Sequence, residues 1–135
     1  MEFKARAVTV KDWDMLVEWW DWWPGWTAPP QDFLPNHGTG GFMVEKNNQP
    51  IVAGFVYFTN SKVAWVEWII SSPNYKEDDR KDAIEYLINE LEQFIVSMGY
   101  KYMFTNLQHK GLIETHKKLG WNMDEKPSYE LTKNL

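Results

Sequence analysis

The chain of 135 residues contains no cysteine. That single absence excludes disulfides, thiolate zinc sites, iron–sulfur clusters and a cysteine nucleophile together. Histidine is nearly as scarce: His37, His109 and His116 are the three present, too scattered along the chain to suggest a metal site. No stretch approaches the roughly 18 consecutive apolar residues of a membrane span. Met1 is followed by Glu2 and Phe3 rather than by a basic and then apolar signal region, so the protein reads as cytoplasmic and without a membrane partner. A basic excess is missing too, with 14 Lys and Arg against 19 Asp and Glu and a net charge of −5. Acids outnumber bases in both parts of the chain, seven to four up to residue 60 and twelve to ten beyond it, which speaks against nucleic acid as a partner. The chemistry left open is acid–base, positional, or brought by a cofactor.

Aromatic surface is what the chain has in abundance. Six of its nine tryptophans (Trp13, Trp19, Trp20, Trp22, Trp23 and Trp26) fall in one N-terminal stretch. The mean hydropathy of −0.53 understates the core this permits, because the scale ranks tryptophan and tyrosine low. At 44% hydrophobic and 24% charged, the composition is that of one globular domain covering residues 1–135.

Periodicity orders the elements. A strand over Phe3–Val8 runs into Thr9 and Asp12, spaced as an N-cap and its acidic partner. Trp13, Leu16, Val17 and Trp20 then form one face of an amphipathic helix that stops before Pro24. Pro24 to Gly41, with Pro29, Pro30 and Pro35, is a long loop with room for one helical turn. Phe42–Glu45, Ile51–Thr59 and Val63–Ser71 are β-rich runs between turn clusters and predict a three-stranded meander. After a polar break at Pro73–Asp79, Ala83, Ile84, Leu87, Ile88, Leu91, Ile95 and Met98 line a long helix ending near Gly99. A strand at Tyr100–Asn106, a short helix at Leu112–Leu119 closed by Gly120, and two short strands within Trp121–Leu131 complete the order β-α-loop-βββ-α-β-α-β(β). This is an α/β (α+β) arrangement: a mixed sheet of about six to seven strands flanked by about four helices.

In length and element order the whole chain resembles the GCN5-related N-acetyltransferase (GNAT) superfamily. The segment Gly111–Trp121 is similar to the family's final helix, with Lys118, Leu119, Gly120 and Trp121 matching directly, His109 in the place of an asparagine and His116 in the place of a frequent tyrosine. Arg6, Thr9 and Asp12 resemble the family's approach to its first helix, without its proline. The resemblance implies transfer of an acetyl or other acyl group from coenzyme A to a small-molecule or protein amine, with the thioester held between two splayed parallel strands, here Val63–Ser71 and Tyr100–Asn106. It implies acetyl-coenzyme A as the donor, with Ile69, Ile70, Ser71, Lys76, Arg80, Lys81, Asn106 and His109 as cofactor contacts. Glu67 would act as general base and His116 as the acid for the leaving thiolate. Trp19, Trp22, Trp23 and Trp26 would form a wall of the acceptor site.

Against the resemblance stands the start of the long helix. Family members place Arg/Gln-x-x-Gly-x-Gly/Ala there, so that backbone amides can approach a diphosphate at a helix N-terminus. Here Pro73 to Ile84 contains no glycine and carries Glu77, Asp78 and Asp79 in succession. A carboxylate run is also what a helix N-terminus favours with no ligand present. Alternation puts Glu67 on one face with Trp65 and Ile69, which suggests a partly buried carboxylate with a raised pKa. Plainer readings accompany the candidates: Glu67 as a solvent-facing residue of an alternating strand; His116 as a surface residue near a helix C-terminus; His109 and Asn106 as loop caps. The tryptophan-rich stretch fits a protein partner or a homodimer as readily as a substrate wall. The alternative function is therefore a non-catalytic GNAT-fold interaction module that has lost coenzyme A binding.

Overall fold

The computed structural model describes residues 2–135. Its order is β1 (Lys4–Ala7), α1 (Trp13–Trp22), β2 (Gly41–Lys46), β3 (Gln49–Phe58), β4 (Val63–Ser71), α2 (Arg80–Ser97), β5 (Tyr102–Phe104) and α3 (Lys110–Lys118). Short 3-10 turns precede α1 and occupy Gln31–Phe33 and Pro35–Gly38 in the long loop. The five strands follow chain order across one sheet; β1 to β4 are antiparallel neighbours, and α2 carries the chain over to β5, which lies parallel to β4. Among the described residues the sheet thus has five strands, not six or seven, and the fold has three α-helices rather than four. No strand forms after Trp121 among the described residues: Asp124, Glu125, Pro127 and Ser128 interrupt the apolar positions, and Tyr129 and Leu131 are exposed.

Local chemistry explains the frame. Asn47 and Asn48 both adopt left-handed backbone conformations (φ 54° and 62°), as a tight two-residue hairpin between β2 and β3 requires. Arg6 grips Asp12 with two hydrogen bonds of 2.9 Å and reaches Glu45 at 3.0 Å, while the Thr9 amide donates to Asp12 at 2.8 Å. The spacing Arg6, Thr9, Asp12 therefore ties β1, β2 and the start of α1 together. The guanidinium lowers the Asp12 pKa below its ordinary 3.8 despite near-complete burial.

Successive strand residues serve opposite faces. Val44, Val52, Val56, Ala64 and Val66 pack with Ala83, Leu87, Leu91 and Ile95 of α2, whereas Met43, Ala53, Phe55 and Ile70 pack with Leu16, Trp19 and Trp20 of α1. Of the stripe read for α2, Ala83, Leu87, Ile88, Leu91 and Ile95 are buried and Ile84 is half-buried, whereas Met98, past the end of the helix, is exposed. Each of the buried Val, Leu, Ile, Phe and Met side chains among these, fully withdrawn from water, contributes about 1.5–3 kcal/mol. Trp20, wholly buried between Trp13, Phe55 and Trp68, anchors the second face.

Candidate active site

Where β3 meets β4 the ladder is interrupted. Ala53 pairs with Ile70 and Phe55 with Glu67, so three residues of advance in β4 face two in β3. The extra residue is taken up by a β-bulge in which Trp68 has φ 62°, in the left-handed region that costs a bulky residue energy. Gly54 lies opposite; a Cβ there would come within 3.1 Å of Leu87, 3.2 Å of Ile69 and 3.4 Å of Leu91. Its bare backbone lets Ile69 and α2 close over the kink.

The bulge changes which residues share a face. Simple alternation would place Glu67 with Ile69 and opposite Trp68. Instead Ile69 packs on the α2 side, while Trp65, Glu67 and Trp68 all open into one cleft on the α1 side. The cleft has a volume of about 410 Å³ and is walled by Phe33, Tyr57, Trp65 and Trp68, with Asn106 and residues 130–132 at its rim. A closed set of contacts fixes the walls. The Trp68 indole donates to the Tyr57 hydroxyl at 2.9 Å, that hydroxyl donates to the Phe33 carbonyl at 2.8 Å, and the Phe33 ring meets Trp68 edge-on at 5.8 Å. Trp65 stacks at 4.3 Å on Phe104 of β5.

Glu67 lies between these rings, half-buried. Its Oε1 accepts the Asn106 amide at 3.0 Å, and among the described residues its other oxygen takes no hydrogen bond. Burial pushes its pKa from 4.5 to about 7; the Asn106 amide opposes that shift and the charge of Glu130 reinforces it. Burial also raises the Tyr57 phenol, so it stays protonated at neutral pH. A carboxylate poised at neutrality, with a free oxygen facing an aromatic slot, is equipped to take a proton.

β4 and β5 pair only from Val63–Tyr102 to Trp65–Phe104, and β4 then runs on alone to Ser71. Beyond that point the strands are joined by side chains, the Thr105 hydroxyl on the Val66 carbonyl and Glu67 on the Asn106 amide. The ladder between β4 and β5 thus ends at Trp65–Phe104, and the bulge residues Trp68 and Ile69, with no register partner on β3, lie beyond that end.

Other candidates fall elsewhere. His116 is a buried helix residue rather than a surface one and does not line the cleft. Its Nδ1 lies 2.8 Å from the Leu112 carbonyl, its ring meets Trp121 edge-on at 5.0 Å, and its Nε2 is buried without a partner. Burial lowers its pKa, and the neutral ring keeps its proton on Nδ1, donated to that carbonyl; it has none to give a thiolate. His109 caps α3, its Nδ1 accepting the Leu112 amide at 3.2 Å, which is the loop-capping reading. Trp19 is core, not acceptor wall. Trp22 and Trp26 are about half exposed, at 57% and 48%. Trp23 donates its indole N–H to the Ser71 carbonyl at 3.0 Å. None of these four lines the cleft, whose aromatic walls come from Phe33, Tyr57, Trp65 and Trp68 instead. The available signal for two of the walls was the pair of tryptophans flanking Glu67 in β4.

Ile70 is buried in the α1-side core, and Lys76 and Lys81 are exposed. Arg80 turns inward, donating to the carbonyls of Ser72 and Tyr75, with its guanidinium 5.7 Å from the Trp23 ring. The turn before α2 does not fit a diphosphate. It offers no glycine, its arginine is engaged, and Asp79 is held by Lys46 at 2.6 Å and by the Tyr75 hydroxyl. No cluster of three or more potential metal ligands occurs among the described residues, and no helix among them is long and apolar enough to cross a membrane.

A single mixed sheet with a bulged β4, a short parallel β5 and helices on both faces defines the class: the chain has the GCN5-related N-acetyltransferase fold. No protein-family model matches the sequence, and no curated protein sequence matches it. Among solved structures, AAC(6')-Iy in complex with the bisubstrate analogue CoA-S-monomethyl-acetylneamine is similar at TM-score 0.67 and 14% identity, covering 99% of this chain and 100% of that one. The ribosomal-protein-S18-alanine N-acetyltransferase from Escherichia coli is similar at TM-score 0.71 and 14% identity, over 90% of this chain and 78% of that one. N-acetylglutamate synthase from Neisseria gonorrhoeae, complexed with coenzyme A and L-arginine, is similar at TM-score 0.72 and 14% identity over 93% of this chain but 29% of that one. At these identities the likeness defines the fold.

Proposed function

We propose that the chain is an N-acyltransferase that moves an acetyl or other small acyl group from a thioester, of the type acetyl-coenzyme A represents, to a primary amine in the Glu67 cleft. The observation that carries this is a single half-buried carboxylate, with a pKa raised to about 7, at the bulge of β4 beyond the end of the β4–β5 ladder. The solved acyltransferases of this fold named above support the reading.

The amine enters between Trp65, Trp68, Tyr57 and Phe33, whose ring faces suit the methylenes and the positive end of an ammonium. Above neutral pH, ionised Glu67 takes the proton from the nitrogen. The nitrogen then bonds to the thioester carbonyl carbon and the carbon–sulfur bond breaks. A backbone amide of the bulge donates to the negative oxygen that forms in between. The thiolate leaves and, with a thiol pKa of about 8.5, is protonated from water at neutral pH, so no buried acid is required.

The test is release of free thiol from acetyl-coenzyme A with a panel of primary amines, for the wild type and for Glu67→Gln. The wild type should turn over at least one amine, and the variant should lose about 10²–10⁴-fold in kcat/KM. Equal rates would remove Glu67 from the chemistry, and no turnover on any amine would end the reading.

A further inference from the structure

Resting on the acyltransferase reading, we infer that this protein recognises its donor through the acyl-thioester end alone and leaves the nucleotide diphosphate unread, so that a thioester carrying no nucleotide serves as well as a coenzyme A thioester.

Four observations place the chain's own groups where a diphosphate would need partners. Lys76 to Asp82 carries three bases and four acids, a net negative charge at the start of α2. The macrodipole there favours an anion, and the chain supplies its own in Asp79, the residue preceding the first turn of α2. Asp79 is neutralised internally, bonded to Lys46 at 2.6 Å and to the hydroxyl of the buried Tyr75. Glu77 and Asp78 act on the same lysine, so Lys46 already faces three carboxylates and is not free to meet a phosphate.

Arg80 is the remaining cation with the forked geometry that grips phosphate. It is built into the protein instead. One terminal nitrogen donates to the Ser72 and Tyr75 carbonyls and the Nε is buried without a partner, so only the other terminal nitrogen is left and the side chain cannot present two parallel donors to a phosphate. Trp23 packs beside the guanidinium and donates to the Ser71 carbonyl. The carbonyls of Ser71, Ser72 and Tyr75, at the exit of β4, are therefore bonded to side chains of this chain. Turning Arg80 outward would abandon two hydrogen bonds and strand buried carbonyls, which are costly to leave unmade. Lys76 and Lys81 are left, both exposed and next to acids, where a point charge in water adds little affinity. With no glycine from Pro73 to Ile84, close approach of the backbone is not favoured either.

The experiment compares acetyl-coenzyme A with S-acetylpantetheine, which has the same thioester and no nucleotide or phosphate, against one amine acceptor. In parallel it measures the thermal shift of the wild-type protein with 3'-phospho-ADP alone, a readout that needs no turnover. The expected result is kcat/KM values within about threefold of each other and no stabilisation by millimolar 3'-phospho-ADP. A coenzyme A preference above about tenfold, the least that charged hydrogen bonds to a diphosphate would confer, overturns the inference, as does stabilisation by the nucleotide. If neither thioester reacts with any amine, the acyltransferase reading fails and the donor claim falls with it. Reaction with both thioesters, but with a coenzyme A preference above about tenfold, overturns the donor claim only.

Discussion

Glu67 should make the folded protein less stable than it would be with a neutral residue in its place, and the size of that penalty can be worked out. Its carboxyl titrates at about 7 in the folded protein against 4.5 ordinarily. Between those values the folded state holds a proton that the unfolded chain has released, so stability falls as pH rises from about 4.5 to 7 and is level beyond. The full displacement corresponds to about 3 kcal/mol, and about 2–3 kcal/mol after discounting for the side chain's partial contact with water. Glu67→Gln keeps the shape and an acceptor for the Asn106 amide but cannot ionise. Urea unfolding of both proteins at pH 4.5 and pH 8 isolates the effect, because every other titrating group is common to both. The variant should match the wild type at pH 4.5 and exceed it by about 2–3 kcal/mol at pH 8. A difference that does not change with pH, or a variant less stable at both, would refute the electrostatic account of the cleft. A stabilised but inactive variant is what a functional site predicts, since the penalty is tolerated only where the carboxylate is used.

Asp12→Asn should cost about 2–4 kcal/mol at pH 7, because it leaves Arg6 without its two-pronged partner beside a buried amide site. The folded pKa of Asp12 is depressed, so the wild type holds this stability above the ordinary value of 3.8 and loses it as pH falls through the folded value. The gap between the two proteins should therefore close in acid, as urea titrations at pH 7 and pH 2.5 would show. His116→Phe should leave turnover unchanged and move stability by less than about 1.5 kcal/mol, since the ring's packing against Trp121 is kept, its Nε2 has no partner to lose, and the one bond lost is that from Nδ1 to the Leu112 carbonyl. A hundredfold loss of rate in that variant, with the fold intact by circular dichroism, would restore the acid role.

Most of the frame was legible because it rests on patterns with a single physical reading. The apolar spacing from Ala83 to Ile95 can be satisfied only by a helix with one face in the core, and that face is buried on β2 and β3. Thr9 and Asp12, and the Asn47–Asn48 pair, carry their turn chemistry in their side chains. The site was less legible because it depends on one backbone feature that residue type does not announce. Tryptophan is not a residue associated with φ 62°, so strict alternation placed Glu67 on the face of Ile69 when the bulge at Trp68 sets it beside Trp68. The aromatic walls were missed for the same reason, and because Phe33 and Tyr57 meet across 24 positions through a hydroxyl–carbonyl bond that no local pattern encodes. The acceptor wall that the resemblance implies does not include Trp19, because the α1 core is wide enough to bury it next to Trp20. His116 was placed by analogy with a tyrosine, and nothing local distinguishes an exposed from a buried position at the end of an amphipathic nine-residue helix. The missing glycines before α2, by contrast, were visible at once, and the inward Arg80 and the Asp79–Lys46 pair give that absence its structural counterpart.

The most direct measurement is the pH dependence of kcat/KM for acyl transfer to a saturable primary amine, for the wild type and Glu67→Gln. Glu67 acting as general base predicts a rising limb with an apparent midpoint at about 7 in the wild type that is absent from the variant. An identical profile in both proteins would contradict the assignment of the Glu67 cleft as the site of chemistry.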